Sequence, residues 1–268
     1  MLSGKVAVVT GSCGVLGGAM AIGLAKEGAR VVITGRRQAE CDRIALELVN
    51  SGYASMGIAA DVTIETQVVA LRDKVVKEWG SINILVNAAG GNVGRAVVQP
   101  AQSFFDMPMD ALEEVMRLNL VGTVLTCKVM GPAMVQSQGS CIINLSSMAA
   151  ERATISRVMG YSASKAAVEN FTRCLAVEMC AKHGDSGIRV NALSPGFFIG
   201  DQNRSLLLND DGTLTTRGET ILNGTPMKRF GEPDELIGPL IWLCSDGAKF
   251  VTGASIPVDG GFSCFSGV

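Results

Sequence analysis

Tyr161 and Lys165 stand four residues apart in the stretch Tyr161-Ser162-Ala163-Ser164-Lys165. On an α-helix that spacing places the two side chains one above the other on one face. An ammonium beside a phenol favours the phenolate, lowering the phenol's pKa from its usual value of about 10 by roughly 1–3 units. A phenol tuned in that way can pass a proton to or from the oxygen of a bound molecule. The competing readings are a solvated pair, or a tyrosine whose ring lies in the core with its hydroxyl at the surface. The run from Ala166 to Met179 has apolar positions at helical spacing and good helix formers, so the pair belongs on a helix. His183 is the only histidine and falls near the expected end of that helix, where a cation suits the helix dipole. A zinc site or a Ser–His–Asp triad would have to use it.

The elements that must position the pair alternate along the sequence. Lys5 to Thr10 is a short β-branched run, as for a strand buried on both faces. Gly11-Ser12-Cys13-Gly14-Val15-Leu16-Gly17-Gly18 follows, then a helical stretch from Ala19 to Glu27, then a second strand, Val31-Val32-Ile33-Thr34. That order is a βαβ unit with a right-handed crossover. Its glycines let the backbone approach a pyrophosphate, and the helix N-terminus offers free N–H groups and a positive dipole end. Gly11, Ser12, Gly14, Val15, Leu16 and Gly17 are the candidates for that contact; the alternative is a turn that is merely tight. At the end of the second strand, Thr34-Gly35-Arg36-Arg37-Gln38 carries no acid where an NAD site usually has one. Guanidinium groups suit a 2′-phosphate, so Arg36 and Arg37 favour NADP(H). If Arg36 instead stacks on adenine and Arg37 is solvated, NAD(H) remains usable.

Residues 38–50 read as a helix and Ala54–Ala60 as a strand ending at Asp61-Val62-Thr63. Asp61, with Val62 beside it, could contact the adenine amine or cap the helix at 64–79. Ile82–Val86 is a strand, and the small residues after it, Asn87-Ala88-Ala89-Gly90-Gly91-Asn92, sit where open parallel sheets bind ligands. Residues 109–137 read as one long helix with Asn119 inside it, a poor helix former at that position. Ser140–Leu145 is the next strand and leads to Ser146-Ser147. Ile188–Leu193 is another, stopped by Pro195-Gly196. Residues 197–230 do not read as a simple connection. A helix at 233–245 and a strand near Ile256–Val258 close the sequence. One domain, 1–268, is the economical count.

Composition narrows the function. The protein has 268 residues, 47% of them hydrophobic, and a net charge of −2. No basic block invites nucleic acid or an anionic membrane, and no apolar run approaches the ~20 residues of a membrane span. Met1 to Lys5 leads straight into a strand, so no signal peptide is expected. Eight cysteines are scattered without a C-x-x-C, which predicts reduced, mostly buried thiols in a cytoplasmic protein.

Taken together, Thr10-Gly11 through Gly17, Asp61, Asn87-Ala88-Ala89-Gly90, Asn119, Ser147, Tyr161 with Lys165, Pro195-Gly196 and Val258-Asp259-Gly260-Gly261 resemble the short-chain dehydrogenase/reductase family over essentially the whole sequence. The resemblance implies a Rossmann-type, doubly wound α/β fold. Seven mainly parallel strands would carry helices on both faces, a three-layer sandwich. It also implies a nicotinamide cofactor, a homotetramer with the 109–137 and 161–183 helices at its interfaces, and a catalytic tetrad of Asn119, Ser147, Tyr161 and Lys165. In that tetrad Ser147 would orient a substrate carbonyl and Tyr161 would protonate it. Lys165 would lower the Tyr161 pKa and bind the nicotinamide ribose, and Asn119 would support a water that carries protons to Lys165. No metal is implied. Val258-Asp259-Gly260-Gly261 is expected to be structural. One departure stands out: the family pattern T-G-x-x-x-G-x-G has its middle glycine where this protein has Val15, with Gly14 one residue earlier.

A further likeness is to a subgroup of the family comprising D-mannonate oxidoreductases (fructuronate reductases). It rests on the 11–18 and 87–92 stretches, Pro195-Gly196-Phe197-Phe198 with Gln202-Asn203-Arg204, and Thr225-Pro226-Met227-Lys228-Arg229-Phe230-Gly231. Asn92, Gln202, Asn203 and Arg204 are polar groups in loops that should border the site, where Arg204 could clamp a carboxylate. Arg152 and Arg157 are competing clamps, and an ordinary salt bridge is the alternative for Arg204. Phe197 and Phe198 should pack against the cofactor or a lid at about 197–230. The expected reaction interconverts a ketone and a secondary alcohol on a sugar acid, D-fructuronate and D-mannonate foremost. Another polyol, keto-gluconate or ketone is the neighbouring reading, and a non-catalytic nucleotide sensor or scaffold the distant one.

Overall fold

The computed structural model describes residues 1–99, 101–152, 157–200 and 203–267. β1 (Val6–Thr10) is buried along its whole length, as its unbroken β-branched run requires. Its neighbours are β2 (Arg30–Gly35) on one side and β4 (Ile84–Asn87) on the other. β3 (Ser55–Ala59) lies outside β2, while β5 (Cys141–Leu145), β6 (Arg189–Pro195) and β7 (Ser255–Val258) continue beyond β4. The order is β3-β2-β1-β4-β5-β6-β7, and every pairing is parallel.

Successive residues of a strand enter opposite layers. Ala7, Val9, Ile33 and Val86 pack with Met20 and Leu24 of α1 (Val15–Lys26) and Leu240 and Leu243 of α9 (Ile237–Cys244). Val6, Val8, Val32 and Leu85 pack on the other face with Val68 and Leu71 of α3 (Glu65–Trp79) and Met130 and Met134 of α5 (Gly122–Met134). Each fully buried valine, leucine or isoleucine contributes about 1.5–3 kcal/mol relative to exposure. Burial on both faces is why these strands read as continuous apolar runs. The remaining helices are α2 (Gln38–Asn50), α4 (Met109–Met116), α6 (Met159–His183), α7 (Arg204–Leu207) and α8 (Thr216–Gly224). No described helix is long and apolar enough to cross a membrane.

The strand order reverses between β1 and β4, which opens a crevice at their carboxyl ends. Thr10 stitches that point together: its Oγ1 accepts from the amides of Ala88 at 3.1 Å and Ala89 at 3.0 Å.

Three expectations change. The 109–137 helix is interrupted: α4 passes through one wide, π-type turn at Arg117–Val121 before α5, which ends at Met134. Long-range bonds made by Asn119, described below, favour the extra residue in that turn. The 233–245 helix opens with a tight 3-10 turn, Pro233–Leu236, where Pro233 suits the first helical position and Pro239, lacking an N–H, gives the Glu235 carbonyl no α-helical bond. The cysteines divide more evenly than expected: Cys41, Cys127, Cys141 and Cys244 are buried, Cys13 is half-buried, and Cys174, Cys180 and Cys264 are exposed.

Candidate active site

The glycine turn builds a cradle at the carboxyl end of β1. Gly11 adopts φ +67°, a region that favours glycine, and a Cβ there would lie 2.7 Å from the Ala89 backbone. A Cβ on Gly17 would lie 2.3 Å from the Gly11 carbonyl oxygen, so only glycine lets α1 start this close to the turn. Gly14 caps α1 without a side-chain bond, and no acidic residue lies in the first helical turn. The N-terminal amides and the positive end of the helix dipole are therefore free for an anion. Val15 begins the helix, partly exposed, with its side chain 3.8 Å from where a Cβ on Gly200 would be. Leu16 packs on the core and offers only its backbone to a ligand. These features fit a pyrophosphate.

The side chains of Ser12 and Asn87 are engaged within the protein. Ser12 Oγ accepts from the Thr34 amide at 2.8 Å and ties the turn to β2. The Asn87 amide is spent in the core, donating to Asn144 Oδ1 at 2.9 Å and accepting from Thr126 Oγ1 at 2.6 Å. Both side chains are buried, which leaves only their backbone for a cofactor. Ala88, Ala89 and Gly90 line the crevice with backbone and small side chains. Asp61 Oδ1 accepts from the amide and hydroxyl of Thr63 at 2.8 and 2.7 Å. Burial raises its pKa, but the Thr63 bonds and the charges of Arg36 and Arg117 win and hold it below the ordinary aspartate value. Val62 is buried beside it, and Arg36 and Arg37 are exposed past β2. Thr34 Oγ1 is buried without a hydrogen-bond partner among the described residues.

Three elements bring the tetrad together. Ser147 leaves β5 in extended conformation and its Oγ accepts from the Ala149 amide at 3.2 Å. Its hydroxyl lies near enough to the Tyr161 phenol to lower that group's pKa. The Tyr161 ring packs against Ala96, Ala111 and Val115. Lys165, one turn further along α6, is buried and its Nζ donates to the Leu145 carbonyl at 2.7 Å. That nitrogen lies 5.6 Å from the centre of the Tyr161 ring. Asn119 sits in the wide turn and is fully buried. Its Nδ2 donates to the carbonyls of Gly91 at 2.8 Å and Val115 at 3.0 Å, and its Oδ1 accepts from the Gly91 amide at 2.9 Å. A Cβ on Gly90 would lie 2.6 Å from Asn119 Oδ1 and 3.2 Å from Lys165 Nζ, so glycine lets β4's exit loop pass between them.

The expected tuning of the pair is corrected by burial. Burial raises the Tyr161 pKa, and the neighbouring Ser147 hydroxyl offsets only part of that rise. Burial also lowers Lys165 to about 8, so desolvation outweighs the mutual tuning expected from spacing. The Asn119 amide is engaged by Gly91 and Val115, so its side chain shapes the 90–92 turn.

The substrate candidates scatter. Asn92 Oδ1 is buried with no hydrogen-bond partner among the described residues, which marks it as an acceptor awaiting a donor. Asn203 is used by its own loop, donating to the Phe198 carbonyl and accepting from the Gly200 amide, both at 2.8 Å. Arg152 Nε donates to the Ser263 carbonyl at 2.6 Å and fastens the C-terminal segment. Arg157 is exposed, and its carbonyl accepts from the Val98 amide at 3.0 Å. Arg204 is exposed at the start of α7, and Gln202 lies outside the described residues. Phe197 stacks edge-on with Phe262 at 5.2 Å and Phe198 is buried. Asp259 closes the final turn, accepting from the amides of Gly261 and Ser263 at 2.9 and 2.8 Å, the structural role expected of it.

Sequence reasoning missed Glu169. It is buried one turn beyond Lys165, where its Oε1 accepts from Ser146 Oγ at 2.9 Å and Ser255 Oγ at 2.8 Å. The signal was available: a carboxylate continuing the Tyr161–Lys165 spacing falls on the face that packs against the sheet.

A family model described as enoyl-(acyl carrier protein) reductase matches residues 14–263. The uncharacterized oxidoreductase UxuB of Bacillus subtilis is 40% identical over all of this chain and 98% of its own. A Haemophilus influenzae structure with bound NAD, provisionally named a D-mannonate oxidoreductase, is 36% identical with a TM-score of 0.92, covering 100% of this chain and 98% of that one. A gluconate 5-dehydrogenase from Burkholderia cenocepacia, in complex with NADP and tartrate, is 32% identical with a TM-score of 0.86, covering 98% and 97%. The chain belongs to the short-chain dehydrogenase/reductase family and is an NAD(P)-dependent oxidoreductase acting on CH–OH groups.

Proposed function

We propose that this enzyme interconverts a ketone and a secondary alcohol on a sugar acid, D-fructuronate and D-mannonate being the leading pair, with NADP(H) favoured and NAD(H) usable. The observation that carries the substrate reading is the orphaned Asn92 Oδ1. A buried acceptor without a donor is costly in a site for apolar ketones, and a sugar hydroxyl would satisfy it. The names of the Haemophilus and Burkholderia structures support a sugar acid.

The residues present assign the steps. Gly14, the α1 amides and the glycine turn hold the pyrophosphate, and Arg36 and Arg37 meet a 2′-phosphate. Bound there, the nicotinamide supplies or accepts the hydride. Ser147 Oγ and the Tyr161 hydroxyl converge, so one carbonyl oxygen can take hydrogen bonds from both. Burial keeps the phenol protonated at neutral pH, so Tyr161 carries the proton that the oxygen takes up on reduction and recovers it on oxidation. Lys165 presents positive charge beneath that phenol, and Asn119 sets the 90–92 turn that carries Asn92. Arg204 remains the candidate carboxylate clamp. The exposed apolar side chains of Val121, Met159 and Val177 support contact between copies through α5 and α6, as a homotetramer would make.

The test is a panel of uronates, keto-gluconates, neutral ketoses and apolar ketones with NADPH and NADH, read at about 340 nm, where reduced nicotinamide absorbs. Turnover of keto acids is expected, with D-fructuronate first. Turnover of apolar ketones alone would overturn the sugar-acid reading, and no turnover with any carbonyl would favour a non-catalytic sensor. Asn92→Ala should raise KM for hydroxylated substrates about tenfold, the weight of one buried hydrogen bond.

A further inference from the structure

Two thiols face each other beneath the nucleotide cradle. Cys13 Sγ and Cys41 Sγ are 3.6 Å apart. Cys13 belongs to the glycine turn, one residue before Gly14, the N-cap of α1. Cys41 is buried in the first turns of α2. The pair closes over Gly35, the last residue of β2: a Cβ there would lie 2.9 Å from Cys13 Sγ and 3.8 Å from Cys41 Sγ. The sulfurs thus meet where the turn, the end of β2 and the start of α2 converge, and neither has a part in the chemistry above. Cys13 is half-buried and within reach of a small solute, whereas Cys41 is closed off. The exposed thiols Cys174 and Cys264 bond to oxygens of their own segments instead.

We propose that Cys13 and Cys41 form a peroxide-sensitive dithiol whose oxidation to a disulfide weakens nucleotide binding. The inference rests on the reading that the pyrophosphate and adenosine ribose lie along the 11–17 turn and the end of β2. The sulfur of Cys13 attacks one oxygen of hydrogen peroxide; the O–O bond breaks, water leaves, and Cys13 becomes a sulfenic acid. The sulfur of Cys41 then attacks that of Cys13; the S–O bond breaks, and a second water leaves with the Cys41 thiol proton. Two thiols and one peroxide give one disulfide and two waters, with two electrons passing from sulfur to oxygen. Burial pushes the Cys41 thiol up, in keeping with Cys13 attacking first. A disulfide requires the sulfurs at about 2.05 Å, roughly 1.5 Å closer than they now stand. In this proposal the more accessible Cys13 closes the gap by moving toward α2, which carries Gly14, and with it the amides of α1, out of their present line.

The experiment treats the full-length protein with hydrogen peroxide, with and without NADPH. Disulfides are mapped by peptide mass spectrometry, and NADPH affinity is measured by fluorescence titration. The expected results are a linked Cys13–Cys41 peptide pair lacking two hydrogens, a Kd raised about tenfold or more, protection by prior NADPH, and recovery with dithiothreitol. Cys41→Ala should retain the reduced affinity and lose the response to peroxide. Failure to find the linked peptide, a linked protein with unchanged Kd, or a Cys41→Ala variant as sensitive as the parent would each overturn the proposal. The peptide map of the parent decides even if the variant does not fold. Reduced protein that binds neither NADPH nor NADH would overturn the cradle reading and this inference with it; binding of NADH alone moves the titrations to NADH.

Discussion

Lys165 Nζ donates to the carbonyl oxygen of Leu145 at 2.7 Å, while the centre of the Tyr161 ring is 5.6 Å away. The lysine is held first by the end of β5 and only second by its helical neighbour. It is thereby aimed at the crevice beside Gly90, in a dry setting that makes its charge expensive to keep. The consequences can be measured.

The first concerns pH. Burial lowers Lys165 to about 8 from 10.5. Reduction needs its positive charge, so kcat/KM for a ketone should be level through neutrality and fall as pH rises through about 8. A level profile up to about pH 10, where a free lysine would titrate, would contradict the assignment. For stability the sign is the reverse of the usual lysine case. Below pH about 8 both folded and unfolded states hold the proton and the folded state bears the full desolvation cost. Between about 8 and 10.5 the folded state sheds the proton first and the cost is relieved, so stability rises with pH across that window. Lys165→Met should abolish measurable turnover yet raise Tm by a few degrees at pH 7. The depressed pKa corresponds to about 3 kcal/mol, and losing the bond to Leu145 gives back about 1–3.

The glycine turn can be tested from both sides. Gly17→Ala would place a Cβ 2.3 Å from a backbone oxygen that cannot retreat, so binding of NADPH should be lost together with about 2 kcal/mol or more of stability. Val15→Gly restores the family's glycine. It should keep the fold at a cost of about 0.5–1 kcal/mol and bind NADPH at least as tightly, because the exposed valine narrows the approach. Fluorescence titration and thermal melts of the two variants decide the matter.

Cofactor choice is expected to lie in Arg36 and Arg37, which are exposed past β2. Replacing both with alanine should weaken NADPH about 10–100-fold, the worth of one or two charge-assisted bonds. NADH, lacking the 2′-phosphate, should change far less. Equal losses for the two cofactors would remove the arginines from that role.

Glu169 joins α6 to β5 and β7 through Ser146 and Ser255. Glu169→Ala takes the carboxylate acceptor from buried Ser146 and half-buried Ser255 and should cost about 2 kcal/mol, a fall in Tm of roughly 4–8 °C for a protein of this size. Glu169→Gln keeps an acceptor and should recover most of the loss. Since Ser146 precedes Ser147, the alanine variant should also lower kcat more than it raises KM.

Much of this molecule is legible in its amino-acid order, and for a local reason. Strand runs such as Val6–Thr10 and the helical periodicity after Tyr161 are set by residues within one turn or one pleat of each other, so their layout follows from spacing. The family resemblance likewise rests on short motifs, and it brings Ser147, Tyr161 and Lys165 into one site, as the structure does. What spacing could not supply is which atoms satisfy one another across the fold. The Asn119 amide is taken by the Gly91 backbone, distant in sequence, and the helix widens around it. Arg152 and Asn203 are expected to face substrate, but Ser263 and the 198–200 loop claim them. The phenol beside an ammonium is expected to become more acidic, but burial, a property of the packed whole, reverses the sign. Cys13 and Cys41 meet only because Gly35 leaves room for both sulfurs. The sequence by itself determined which groups could do the chemistry. Only the tertiary structure decided which of them remain free to do it, because every buried polar atom must first find a partner.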